Sequence, residues 1–240
     1  MKQENWYDVD TARGGDFSLS NAFPILMRKV FVWMTLALAI TGITAYGVAS
    51  SPALVGMIFS SKVMFWGLII AEFGLVMAIS GAINRLSLAT ATLLFILYSV
   101  VNGATLSVIF LAYSTTVIAK TFFITAGTFG AMALVGYTTK TDLTSMGKLL
   151  FMALIGIIIA SVVNIFVGSS GLDLIISYLG VLVFVGLTAY DTQKIKEMCR
   201  MAPDAGESMQ KLALLGSLSL YLDFVNLFLY LLRIFGNNKD

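Results

Sequence analysis

The sequence holds no histidine, one cysteine and three prolines among 240 residues, and only 12% of it is charged. Each shortage removes a class of function. Without histidine there is no imidazole general base, no Ser-His-Asp triad and no His-based zinc site. The usual side chain for sensing pH near neutrality is gone too, so pH sensing would fall to carboxylates in unusual surroundings. The single thiol, Cys199, closes no internal disulfide, and no C-x-x-C occurs. The 15 basic and 13 acidic residues are too few to clothe a water-soluble globule of this length, since soluble domains carry about 25% charge. A net charge of +2 is too small to draw a nucleic acid. With 21 glycines and so few prolines, collagen-like and low-complexity readings fail. Disorder fails on the opposite ground, because 58% of the residues are hydrophobic. That excess, with a mean hydropathy of +0.91, describes an all-α polytopic membrane protein whose main partner is the lipid bilayer.

A membrane-crossing helix needs about 20 mostly apolar residues. Seven segments meet or approach that length: Val30–Ala49, Val63–Ile83, Leu88–Ala112, Thr121–Tyr137, Leu149–Val167, Leu174–Tyr190 and Leu212–Phe235. The expected organisation is a polar, disordered tail over residues 1–21, a seven-span domain over 22–236 and a short tail over 237–240. The opening MKQENWYDVDTARGGDF is polar, so no cleavable signal peptide is expected and the first span should direct insertion. The longest connection, about Asp191 to Lys211, carries Pro203 and Gly206. Seven spans place Lys2, Arg13, Arg28, Lys29, Arg85, Lys140, Lys148, Lys194, Lys196, Arg200 and Lys211 on one side, and only Lys62, Lys120, Arg233 and Lys239 on the other. Basic loops stay in the cytoplasm, which predicts a cytoplasmic N-terminus and a C-terminus outside.

A charge in hydrocarbon costs about 2.5–3.5 kcal/mol on insertion scales, so ionisable residues within spans mark function by default. Glu72 lies in the second span, Asp191 at the end of the sixth, and Asp223 and Arg233 in the seventh; Arg85 follows the second span. In the seventh, Ser219, Asp223, Asn226, Tyr230 and Arg233 recur at spacings of 4, 3, 4 and 3, which keeps them on one helical face. Such a stripe should face the bundle interior or a water-filled path, because lipid satisfies no polar group. The plainer alternative is polar glue between helices. Asp191 taken alone reads equally as a helix-end carboxylate in water. Glu72 reads either as a protonated acid bonded to a neighbour or as a pathway carboxylate. Tyr98, Asn102 and Thr105 in the third span, and Thr121, Thr125 and Thr128 in the fourth, are glue or pore lining. Ala37, Thr41 and Ala45 in the first span, with Gly156 and Ala160 in the fifth, read as close-packing faces.

The run GLTAYDTQKIK around Asp191, the run SLSLYLDFVNLFLYLLRIFG around Asp223, and Glu72 followed by an NRLS turn resemble the Bax inhibitor-1 (transmembrane Bax inhibitor motif) family, its bacterial branch in particular. The resemblance spans about Ala22 to Gly236. It implies a seven-helix fold with the seventh helix central, and a pH-sensitive calcium leak in a bacterial inner membrane. It implies no resident cofactor and no enzymatic activity, Ca²⁺ being the ion that passes. It assigns the gating pair to Asp191 and Asp223, which would also offer weak Ca²⁺ ligands. Glu72, Asn226, Tyr230 and Arg233 would line the way. The family latches its closed state with a basic residue at the end of the second span. That position falls near Ile83 here, with Arg85 two residues on, so either Arg85 serves from a shifted position or the latch is absent.

The pair also makes sense on physical grounds. Two carboxylates a few ångströms apart in a poor solvent cannot both ionise cheaply, so they share a proton. Deprotonation adds repulsion and frees hard oxygen ligands of the kind Ca²⁺ takes. Other seven-span identities fit less well. An intramembrane aspartyl protease also uses Tyr-Asp, as in Tyr190-Asp191, but needs Gly-x-Gly-Asp at its second aspartate, where Leu220-Tyr221-Leu222 stands instead. A retinal protein needs a lysine inside the seventh span, and Leu212–Phe235 contains none. The remaining alternative is a non-transporting regulator that binds another membrane protein, such as a quality-control protease, with Trp6 and Tyr7 as a docking element.

Overall fold

The structure, a computed structural model, describes residues 6–236, with side chains from residue 22 onward. Among the described residues there are nine helices and no strand: α1 (Trp6–Ala49), α2 (Pro52–Phe59), α3 (Lys62–Ala82), α4 (Leu88–Leu106), α5 (Val108–Ala112), α6 (Thr115–Thr138), α7 (Thr144–Val167), α8 (Ser170–Arg200) and α9 (Glu207–Gly236). Seven segments are long and apolar enough to cross a membrane: α1 from Ala22, α3, α4 together with α5, α6, α7, α8 and α9. They are the seven expected spans. Residues 1–5 and 237–240 of the expected tails lie outside the described residues, and α1 begins at Trp6.

Serine starts most of these helices. The hydroxyls of Ser51, Ser61, Ser87, Ser114 and Ser169 each accept a hydrogen bond from the N–H three residues on. Each fills one of the donors that a helix start leaves open. Pro52 stands at the first position of α2, where it gives up no needed N–H. Gly168, at φ 65°, closes α7 in the left-handed conformation that a Cβ would strain.

Most spans begin some residues before the sequence expectation, and three further differences matter more. The third span breaks at Ser107, whose hydroxyl donates to the Ala104 carbonyl. The eight-residue α2 sits in what read as a plain connection. The change nearest the aspartates concerns the sixth span, because α8 does not end at Tyr190 but runs on to Arg200. Its apolar run stops at Tyr190, yet Thr192, Ile195 and Cys199 continue a buried stripe at helical spacing. The helix ends only where Pro203 approaches.

Burial ranks the helices. In the most apolar stretch of α9, 67% of residues are buried, against 44% for α8 and 6% for α3 and α7. α9 packs against α1, α4, α6 and α8, while α3 leans mainly on α4 and α7 on α8. The last span is therefore the axle of the bundle. Ile70, Phe73 and Met77 on α3, and Phe151, Ile155, Ile158 and Phe166 on α7, are exposed. In water such faces would drive association; in hydrocarbon they match their solvent.

The even-numbered connections, 83–87, 139–143 and 201–206, gather with the start of the first span on one side, here called the basic face. At the α6–α7 turn there, Asp142 Oδ1 accepts from the Thr144 backbone N–H at 2.8 Å. The Thr144 side chain and backbone together hold the Asp142 carboxyl below its usual range, with Lys148 adding to the effect.

Candidate functional site

Tyr221 and Asp223 stand two residues apart on α9, hence about 200° around its axis. They serve two polar centres on opposite faces of the central helix, at one depth.

The first centre lies between α8 and α9, which share the most extensive helix contact in the bundle. Asp223 is 5% exposed. Its Oδ2 is enclosed and has no hydrogen-bond partner, and the like charge that acts on it is Asp191. The two aspartates that the sequence singles out thus lie on helices in contact, near enough for one charge to act on the other. Asp191 is half-buried, and the cation acting on it is Lys194, whose ammonium also lies 5.9 Å from the centroid of the Tyr190 ring. The neighbouring hydroxyls are already engaged. Thr188, Thr192 and Ser217 each donate to the carbonyl four residues back. The pair is therefore left to itself, and a buried carboxyl oxygen without a donor calls for a proton or a cation. Among the described residues, no three of Asp, Glu, Cys and His come together as a metal cage. Two carboxylates make only a sparse Ca²⁺ site.

Two glycines bring other helices close to α8 here. A Cβ on Gly136 of α6 would run into the Ala189 carbonyl. A Cβ on Gly147 of α7 would meet the Tyr190 ring at 2.5 Å. Both helices therefore close on α8 immediately beside Asp191.

The second centre lies between α1, α3, α4 and α9. The Tyr221 hydroxyl is 2.7 Å from Thr41 Oγ1 and donates to Asn102 Oδ1 at 2.9 Å. Asn102 Nδ2 in turn donates to Glu72 Oε2 at 3.3 Å. Thr41 also reaches the Ser99 carbonyl at 3.0 Å. The line of donors ends on the Glu72 carboxyl, whose Oε1 is enclosed without a partner. Tyr221 is fully buried, with Phe95 and Tyr98 edge-on to its ring at 5.9 and 5.6 Å. The sequence pattern gives Tyr221 no polar role, and Thr41 reads there as a packing residue. A tyrosine inside an apolar run is an ordinary sight, and only its depth reveals the network.

The other sequence-predicted residues are dispersed. Asn226 donates its amide to the Leu222 carbonyl of its own helix. Tyr230 stacks on Phe184 at 5.8 Å. Arg233 pairs with Asp173 at 3.3 Å, both about half exposed, and lies over the Tyr230 ring. Arg85 is exposed and forms no ion pair among the described residues, while Ile83, at the expected latch position, is buried in the core.

Comparison with known proteins bears on the whole domain. The family model described as inhibitor of apoptosis-promoting Bax1 matches residues 24–240. The inner membrane protein YbhL of Escherichia coli K12 is 51% identical over 214 residues, covering 89% of this chain and 92% of that protein. An uncharacterized protein of Borreliella burgdorferi is also 51% identical, over the same shares. Another, of Rickettsia prowazekii, is 45% identical over 216 residues, 89% of this chain and 90% of its own length. With seven apolar helices, the aspartate pair against the central one, and a family match over nearly the whole chain, this integral membrane protein belongs to the Bax inhibitor-1 family.

Proposed function

We propose that the chain is a pH-sensitive calcium leak, not an enzyme, and that the Asp191–Asp223 pair is its gate. The observation that carries this reading is the enclosed Asp223 carboxyl, whose Oδ2 has no donor and whose neighbouring charge is Asp191. With one proton on the pair, the two acids bridge α8 and α9. When that proton leaves, two anions face each other in a medium that screens them poorly, and the interface loosens. The freed oxygens are hard ligands that hold Ca²⁺ weakly, as suits passage better than storage. The resident membrane is a bacterial inner membrane, as the name of the E. coli relative suggests. The basic face is cytoplasmic, because it gathers most of the Lys and Arg.

The test is calcium entry into proteoliposomes loaded with an indicator dye, followed from acidic to alkaline pH. Wild type should leak more as pH rises. Asp191→Asn and Asp223→Asn should each flatten that dependence, because one titrating partner has been removed. Entry no faster than into empty vesicles at every pH would sink the reading. A non-transporting regulator would then lead, with the nearly unburied α3 and α7 faces as the surface for a membrane-protein partner.

A further inference from the structure

The first turn of α9 holds a distant piece of the chain. Glu207 Oε1 accepts a hydrogen bond from the Leu88 backbone N–H at 2.9 Å. Lys211 Nζ donates to the Leu86 carbonyl at 3.0 Å. Glu207 and Lys211 are four residues apart and share a helical face. Leu86 and Leu88 belong to the turn that joins α3 to α4. Two charged side chains of one helix thus grip the backbone of another connection at two points.

The signs of these charges are matched to what they hold. Leu88 is the first residue of α4, and its N–H is one of the donors that a helix start leaves open. Ser87 caps that start through Thr90 and leaves the Leu88 N–H to Glu207. A negative group also complements the positive end of the α4 dipole. Leu86 follows the end of α3, where carbonyls lack partners and a cation is favoured. No ion pair links Glu207 to Lys211 among the described residues, so both charges are spent on the turn rather than on each other.

From this geometry we infer that Glu207 and Lys211 are positioning residues that tie α9 to the α3–α4 turn and keep it seated against α8. α9 carries Asp223, and only residues 201–206 join it to α8. A tilt that draws Asp223 away from Asp191 must break both bonds or carry the α3–α4 turn along. The tie therefore sets how easily the pair separates. Arg85, the charged residue on the same turn, takes no part in it.

The flux arm of the test rests on the proposed leak, so a second readout is independent of it. The key variant is the double swap Glu207→Lys/Lys211→Glu. It preserves net charge and any attraction along α9, but it presents the wrong charge at both points of the turn. Spin labels on cysteines replacing exposed Asn84 and Ser208, in a Cys199→Ser background, report the distance between turn and helix. A narrow, short distribution is expected for the parent, and a longer, broader one for the swap. Lys211→Arg, which keeps a donor, should retain the parent distribution. Calcium entry at acidic pH should rise in the swap by on the order of tenfold, the effect of losing a hydrogen bond to a charged group. If the distances respond but no variant or wild type leaks, the tie stands and the leak reading falls. If wild type leaks and the swap alters neither distance nor flux, the tie is wrong.

Discussion

Tyr221→Ala should cost about 3–5 kcal/mol, the range for deleting a large buried ring, and so unfold much of the protein near its working temperature. Tyr221 is fully buried on the central helix, between Phe95 and Tyr98, and no neighbour can collapse into the space without leaving its own helix. Tyr221→Phe isolates the hydroxyl. It keeps the ring contacts but strips a donor from Asn102 Oδ1 and a partner from Thr41. Hydrogen bonds between membrane helices are worth about 0.6–2 kcal/mol, so the loss should be a fraction of that for alanine. Thermal unfolding in detergent would rank the three proteins. A phenylalanine variant as stable as wild type would show that the line from Thr41 to Glu72 contributes no stability.

Gly136→Val should be nearly as damaging, for the opposite reason. The first atom beyond Cα already collides with the Ala189 carbonyl, and both belong to helix backbones that cannot step aside singly. Overpacking typically costs about 1–3 kcal/mol and occasionally more; a clash with main chain belongs at the upper end. α6 would be levered off α8 two residues from Asp191, so the variant should unfold earlier and, on the leak proposed above, also pass calcium at acidic pH. Gly74→Ala is the control, since nothing lies within 4 Å of its added carbon. A monodisperse Gly136→Val protein with wild-type melting would mean that α6 and α8 sit further apart than described.

Much of this was readable in advance because charge is so scarce here. In a chain with 28 charged residues, an aspartate amid Leu, Phe and Val stands out, and Asp223 was found that way. Asp191 is marked by the Tyr-Asp-Thr run, although its helix continues ten residues further than the apolar pattern allows. Tyr221 is not legible, because a tyrosine among Leu, Val and Phe carries no sign of how deep it lies. The ties of Glu207 and Lys211 escaped for another reason. Their partners are backbone groups, and no side chain in the turn advertises that its N–H or carbonyl will be claimed. The eight-residue α2 was missed because it is too short to cross a bilayer and was judged only by that standard.

The order of synthesis gives the central helix a further consequence. α9 is the last of the seven spans in the chain, yet it is the one the others are built around. Until it emerges from the ribosome, Thr41 and Asn102 have no tyrosine to bond, and Phe129 and Phe184 face an unfilled channel. The six earlier spans can enter the bilayer in turn, but they lack the helix that α1, α4, α6 and α8 all pack against. A nascent chain stalled before Glu207 exposes polar side chains to lipid, where nothing pairs with them. The emergence of α9 is thus the event that completes the bundle.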